Sequence, residues 1–199
     1  MSLINYKNAK HNKDGEIGEE IVLDYFKSNK NIIDFEDVRN VDGYQKKDID
    51  FIVKIKVNNE IETHKIEVKT DIQAGQYENF FVEKSNFYLM DCKYIDKDGN
   101  EVVIAKKGET TKGWMFYSEC DYFFFYVPAH DKIYICAREI LRKYIAENQP
   151  VVRKCKDYHK ITDGWCVKIK DLIRKNINDV IVLDGKAFTV INNDAKEVA

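Results

Sequence analysis

Two strand patterns joined by a pair of asparagines constrain this chain more than any other feature. Phe51-Ile52-Val53-Lys54-Ile55-Lys56-Val57 reads as a strand, Asn58-Asn59-Glu60 as a turn, and Ile61 to Thr70 as a second strand running back antiparallel. A turn centred between Asn58 and Asn59 puts position 50 opposite position 67. Side chains alternate across a strand, so Glu67 and Lys69 project from one face and Ile66 and Val68 from the other. Two carboxylates, Asp50 and Glu67, and one ammonium then converge at one edge of a sheet. Carboxylates at a watery mouth suit a hard divalent cation, Mg²⁺ above all. A Lys beside them can orient water or offset charge growing on a phosphate. The simpler reading is a solvated charged hairpin, since Glu-x-Lys on a strand is common by chance.

The upstream segment weighs against chance. Ile17, Ile21, Val22, Tyr25 and Phe26 recur at helical spacing after a polar stretch, and Gly18-Glu19 places an acid in the expected first turn, where the helix dipole favours it. The order is helix, Asp-led strand, then a strand reading apolar-Glu-apolar-Lys.

In that order Gly18-Glu19, Ile49-Asp50-Phe51-Ile52 and Glu67-Val68-Lys69-Thr70 resemble the PD-(D/E)xK phosphodiesterase superfamily, in the style of its Holliday-junction-resolvase-like branch. The resemblance spans roughly residues 15–71. It implies an α/β fold, a restriction-endonuclease-like mixed β-sheet flanked by helices. It also implies a DNA endonuclease in which Asp50, Glu67 and the Val68 carbonyl hold Mg²⁺ (Mn²⁺ substituting), Lys69 positions or activates the attacking water, and Glu19 is an outer acid. DNA is the implied substrate, and a homodimer is compatible with it. No Pro precedes the first Asp, and Asp48 competes with Asp50 for the ligand position; the hairpin register favours Asp50. The alternatives are a non-catalytic DNA- or protein-binding member of the fold, or an RNA- or junction-specific nuclease.

Composition narrows how nucleic acid could be held. With 32 Lys and Arg against 34 Asp and Glu, the net charge is −2. Coating nucleic acid by bulk charge is excluded, and contacts must come from local patches and a metal. Lys106, Lys107 and Lys112 lie in a Gly-containing loop ending at Trp114, and Arg138 and Arg142 sit one helical turn apart; these are the candidate DNA contacts, with a solvated loop and a surface helix face as the simpler readings. Asp71 reads as an exposed strand-end acid. Gln73 and Tyr77 form a Gln-x-x-x-Tyr spacing known in exonucleases of this superfamily. Tyr122-Phe123-Phe124-Phe125-Tyr126 reads as a strand buried on both sides.

At 199 residues the expectation is one domain: a polar arm over 1–14, a nuclease-like core over 15–150, and an α/β extension over 151–199 packed on it. Within it, Asn79–Glu83, Phe87–Ile95, Glu101–Ala105 and Lys132–Cys136 read as extended, with a turn at Asp98-Gly99. Arg138–Ile145 reads as a helix. The tail suggests a strand near Trp165–Ile169, a helix near Leu172–Ile177 and a strand at Val180–Leu183. Five Cys without a CxxC pair argue against a disulfide framework, and Cys155, His159 and Cys166 match no familiar zinc spacing. No apolar run is long enough for a membrane span or a signal peptide, so a reduced cytoplasmic setting is expected and no membrane partner.

Overall fold

The aromatic run lies at the centre of the molecule. The computed structural model describes residues 10–95, 101–175, 179–184 and 187–192. In chain order its elements are α1 (Lys10–Ser28), β1 (Ile32–Asp37), α2 (Asp42–Gln45), β2 (Phe51–Val57), β3 (Glu60–Thr70), α3 (Ala74–Tyr77) and β4 (Asn79–Tyr88). There follow β5 (Cys92–Ile95), β6 (Glu101–Ala105), β7 (Thr110–Lys112), α4 (Trp114–Tyr117), β8 (Tyr122–Val127), β9 (Lys132–Ala137) and α5 (Arg138–Asn148). The chain continues through β10 (Val152–Lys156), β11 (Lys160–Lys168), α6 (Ile169–Lys175), β12 (Asp179–Asp184) and β13 (Ala187–Asn192).

The main sheet has the order β1-β2-β3-β8-β9 and is continued by β12 and β13. It is mixed because β3 and β8 run parallel, with Glu67 beside Phe123 and Lys69 beside Phe125. A parallel neighbour needs a long crossover. Here that crossover carries β4 and β7, which join β11 and β10 in a second, antiparallel sheet of order β10-β11-β4-β7. The chain after α5 therefore supplies strands to both sheets, with β11 pairing along β4 and β12 pairing with β9. No helix among the described residues is long and apolar enough to cross a membrane.

The β2–β3 hairpin has the expected register: Phe51 faces Ile66 and Val57 faces Glu60. Its two-residue turn needs positive φ at both positions, and Asn58 (48°) and Asn59 (69°) supply it with the side chain that best tolerates that region. Glu60 accordingly belongs to the strand rather than the turn.

Strand β8 divides two cores. Phe123 and Phe125 face one, where Phe80 stacks on Phe125 at 4.2 Å beside Trp114, Leu141 and Leu172. Phe124 and Tyr126 face the other, where Phe26 of α1 meets Phe51 at 5.4 Å and Phe124 at 5.7 Å. Each fully buried Phe contributes about 1.5–3 kcal/mol. The sheet thus has α1 on one face, and α5 with the second sheet on the other.

Helix α1 departs from the sequence expectation. It starts at Lys10, inside the stretch expected to be a loose arm, so its first turn holds no acid and Gly18-Glu19 falls mid-helix. Once Val22, Tyr25 and Phe26 are packed, extending a helix upstream through residues lacking proline costs little. Ile17 is 54% exposed and stands outside the apolar face. Asn79 to Tyr88 is one strand, β5 begins only at Cys92, and β11 starts well before Trp165. The Asp98-Gly99 turn and Ile177 lie outside the described residues.

Candidate active site

The hairpin register delivers Asp50 to Glu67. The Asp50 N–H donates to the Ile66 carbonyl at 2.9 Å, and its carboxylate Oδ2 accepts from the Val68 N–H at 2.7 Å. Residues two apart on a strand turn their peptide groups toward the same neighbour. The Val68 carbonyl therefore faces the β2 side, beyond that strand's first residue, where the main-chain ladder has ended. This is the position in which it could serve a cation.

Glu67 and Lys69 share the face of β3 that looks toward Trp114. Lys69 Nζ donates to Glu67 Oε1 at 2.5 Å and to Asp48 Oδ1 at 3.0 Å, and sits 5.2 Å from the centre of the Trp114 ring. Asp48 is thus part of the cluster alongside Asp50. It is held in the left-handed region, with φ of 58°, in the bend that leads into β2. That conformation costs a non-glycine residue of order 1 kcal/mol. Its second oxygen, Oδ2, is buried and has no hydrogen-bond partner.

Glu19 arrives from the other face of the sheet, from the middle of α1. Arg39 holds it: Nη1 donates to Glu19 Oε2 at 2.9 Å and to Glu20 Oε1 at 3.1 Å, while Asp37 accepts from Nε and Nη2. The guanidinium also lies 5.1 Å above the Phe51 ring. Sequence reasoning missed Arg39, because no local spacing links it to Glu19, twenty residues upstream. Glu19, Arg39, Asp48, Asp50 and Glu67 line one cleft of about 650 Å³.

The electrostatics of this cleft are those of acids short of positive charge. Burial pushes Glu67 well above the usual carboxyl range; Lys69 opposes the shift, and the charges of Asp48 and Asp50 reinforce it. Asp50 is raised by burial, against the stabilising Val68 hydrogen bond. Glu19 is raised by burial and by Asp50. Burial alone would lower Lys69, but Glu67 and Asp48 outweigh it and its ammonium is held more firmly than usual. A cation bound among Asp48, Asp50 and Glu67 would favour their ionised forms, against the burial that raises Asp50 and Glu67.

No three His, Cys, Asp or Glu side chains among the described residues are already gathered as a ligand set. Lys69 occupies Glu67, and Val68 occupies one oxygen of Asp50. The donor chemistry nevertheless fits Mg²⁺. All the available donors are hard oxygens, and the orphaned Asp48 Oδ2 is a buried acceptor at the same place.

The remaining candidates are placed elsewhere. Arg138 Nη1 donates to the Ser118 carbonyl at 3.1 Å, and Arg142 Nη2 to those of Met115 (2.9 Å) and Ser118 (3.2 Å), so both are committed to backbone rather than displayed for phosphates. Lys106, Lys107 and Lys112 are exposed around the turn into β7. Trp114 is buried under Lys69 and cannot cap a DNA-gripping loop. Asp71 is not an exposed strand-end acid: its oxygens accept from the Ala74 and Phe81 N–H groups at 2.8 and 3.0 Å, closing the turn after β3. Gln73 precedes and Tyr77 ends the short α3, and neither lines the cleft. Cys155 pairs with Thr162 across β10 and β11 and joins no cation-binding group with His159 and Cys166 among the described residues.

Comparison of the chain with protein-family models, with curated proteins and with solved structures finds no match.

Proposed function

We propose that this protein is a Mg²⁺-dependent phosphodiesterase that hydrolyses DNA at the Asp50–Glu67–Lys69 cluster. The reading is carried by one observation: Asp50, at the entry to β2, and Glu67 of β3 meet in one acid-lined cleft, and Lys69 is ion-paired to Glu67 beside it. Asp50, Glu67 and the Val68 carbonyl would hold the ion. When bound, Mg²⁺ supplies a Lewis acid that offsets the charge developing on the phosphoryl oxygens. Lys69, still anchored by Asp48, orients the water that attacks phosphorus in line and adds a hydrogen-bond donor where negative charge grows. Glu19, fixed by Arg39, faces the cleft as an outer acid able to order further water.

A second reading is favoured by the closed ion-pair arrangement itself. Lys69 is paired with both Glu67 and Asp48, an arrangement that would also stabilise the cluster in a non-catalytic, nucleic-acid- or protein-binding domain. Supercoiled plasmid, single-stranded DNA and RNA incubated with the protein in Mg²⁺, Mn²⁺, Ca²⁺ or EDTA separate the two. Cleavage in Mg²⁺ or Mn²⁺ that Glu67→Gln abolishes is the expected result. A folded protein that cleaves none of the three in either metal would overturn the enzymatic reading, and cleavage confined to RNA would correct the substrate.

A further inference from the structure

Helix α4 is tied to the proposed active site at both ends and exposes two aromatic rings between the ties. At its start the Trp114 ring lies 5.2 Å from Lys69 Nζ; just past its end Ser118 Oγ donates to the Asp48 carbonyl at 3.5 Å. Between them Phe116 is 51% exposed and Tyr117 48%.

The ring surface does not end there. Phe116 packs against Trp165 of β11 with ring centres 5.8 Å apart, and Lys84 of β4 lies 5.7 Å over the Trp165 ring. The strip is held stiffly. Arg142 and Arg138 bind the carbonyls of Met115 and Ser118, and the Gly113 N–H donates to the Lys84 carbonyl at 2.9 Å. Gly113 itself is pressed on the Glu83 backbone so closely that any Cβ would collide with it. The two arginines expected to clamp phosphates instead brace the helix that presents these rings.

We propose that Phe116 and Tyr117, with Trp165 and Lys84 beside them, form a stacking shelf for unpaired bases of the strand entering the cleft, so that the substrate is single-stranded or locally opened nucleic acid. This rests on the phosphodiesterase reading of the cleft and names its substrate class. Rigid exposed rings with a cation alongside match the two halves of a nucleotide: a base with a π face and a phosphate with a negative charge. A duplex buries its base faces and offers such a shelf nothing to stack. Half-exposed aromatics grouped with a Lys, on a helix tied to Lys69 and Asp48, are also unlike the scattered apolar residues normal for a surface. Because the rings are pre-set, little ordering entropy opposes the contact.

The test is binding in Ca²⁺, measured by the anisotropy of a fluorescein-labelled oligothymidylate and of a blunt duplex of the same length. Wild type is expected to prefer the single strand. Phe116→Leu, which keeps apolar contact with Trp165 but removes the π face, should weaken single-strand binding by roughly ten-fold, within the range a lost base stack costs, and leave the duplex unchanged; Phe116→Tyr should restore it. Single-strand binding should also quench tryptophan fluorescence in wild type, and a Trp165→Phe protein should lose that quench because Trp114 is buried. The shelf is overturned if Phe116→Leu and Phe116→Ala both bind the single strand like wild type, or if wild type binds neither probe. Cleavage without any effect at Phe116 would sink the shelf and spare the active site. A Phe116-dependent single-strand preference in a protein that never cleaves would do the reverse.

Discussion

The Asp50 carboxylate accepts a hydrogen bond from the Val68 amide at 2.7 Å, so the first acid of the cleft is fixed by the backbone of the strand that carries the second. Because Phe51 pairs with Ile66, one step further along places Asp50 beside Glu67. Asp48, two residues earlier, reaches the same spot by a strained turn rather than by strand pairing.

This separates the two aspartates. Asp50→Asn keeps an acceptor for Val68 and should fold, yet its Mn²⁺ affinity by calorimetry should fall by more than ~100-fold, beyond the roughly 10–100-fold that outer partners cost. Asp48→Asn retains a residue at ease with positive φ and an acceptor for Lys69, and should lose less. The opposite ranking would make Asp48 the inner ligand.

Lys69 distinguishes chemistry from charge balance. Lys69→Met strands a buried Glu67, and in chelator the melting temperature should drop, with about 3–5 kcal/mol as the upper range for an unpaired buried charge. Mg²⁺ should recover part of that loss, since the ion takes over Glu67. In single-turnover assays the variant should cleave at least ~100-fold slower in Mg²⁺ while binding DNA in Ca²⁺ like wild type. Wild-type cleavage would remove Lys69 from the reaction, and a loss of stability that Mg²⁺ never restores would favour a purely structural ion pair.

The pH dependence of the metal-free protein follows from Glu67. Its carboxyl is raised above the ordinary value of 4.5 by burial, so between 4.5 and the folded value the native state binds more protons than the unfolded one. Stability from this group is therefore complete below 4.5 and is lost as pH rises through the folded value. In EDTA, wild type should lose stability relative to Glu67→Gln as pH climbs above 4.5. Mg²⁺ should flatten that difference. Parallel curves for the two proteins in EDTA would mean Glu67 titrates normally.

Gly18 sets how closely α1, and with it Glu19, approaches the sheet. A Cβ there would meet the Thr70 hydroxyl and come within 3.3 Å of the Tyr126 ring. Replacing a mid-helix Gly by Ala ordinarily stabilises by roughly 0.5–1 kcal/mol. Here Gly18→Ala should instead destabilise by about 1–3 kcal/mol, the usual cost of overpacking. Adding Thr70→Ala should relieve most of it in a denaturation cycle, and cleavage should return with stability. A single variant more stable than wild type would show that α1 does not need this contact.

The features legible in residue order are those that short-range rules govern. The Asn58-Asn59 turn sets the hairpin register. Strand alternation puts Glu67 and Lys69 on one face, and the unbroken aromatic run marks Tyr122–Val127 as a strand with a core on each side. These features depend on neighbours a few residues away and survive any surroundings. Tertiary structure decided the rest. Strand β1, Ile32-Ile33-Asp34-Phe35-Glu36-Asp37, lacks a clean alternation because its register with β2 shifts between Ile32 and Asp34, and it exists at the sheet edge because β2 offers it a partner. Glu19 reaches the cleft from mid-helix because Gly18 lets α1 close on Thr70 and Arg39 holds the carboxylate from twenty residues away. Arg138 and Arg142 carry the same charge wherever they sit, and only the folded position of α4 commits them to its carbonyls. Contacts of that separation are paid for in chain entropy and returned only when the whole core assembles, so no local pattern records them.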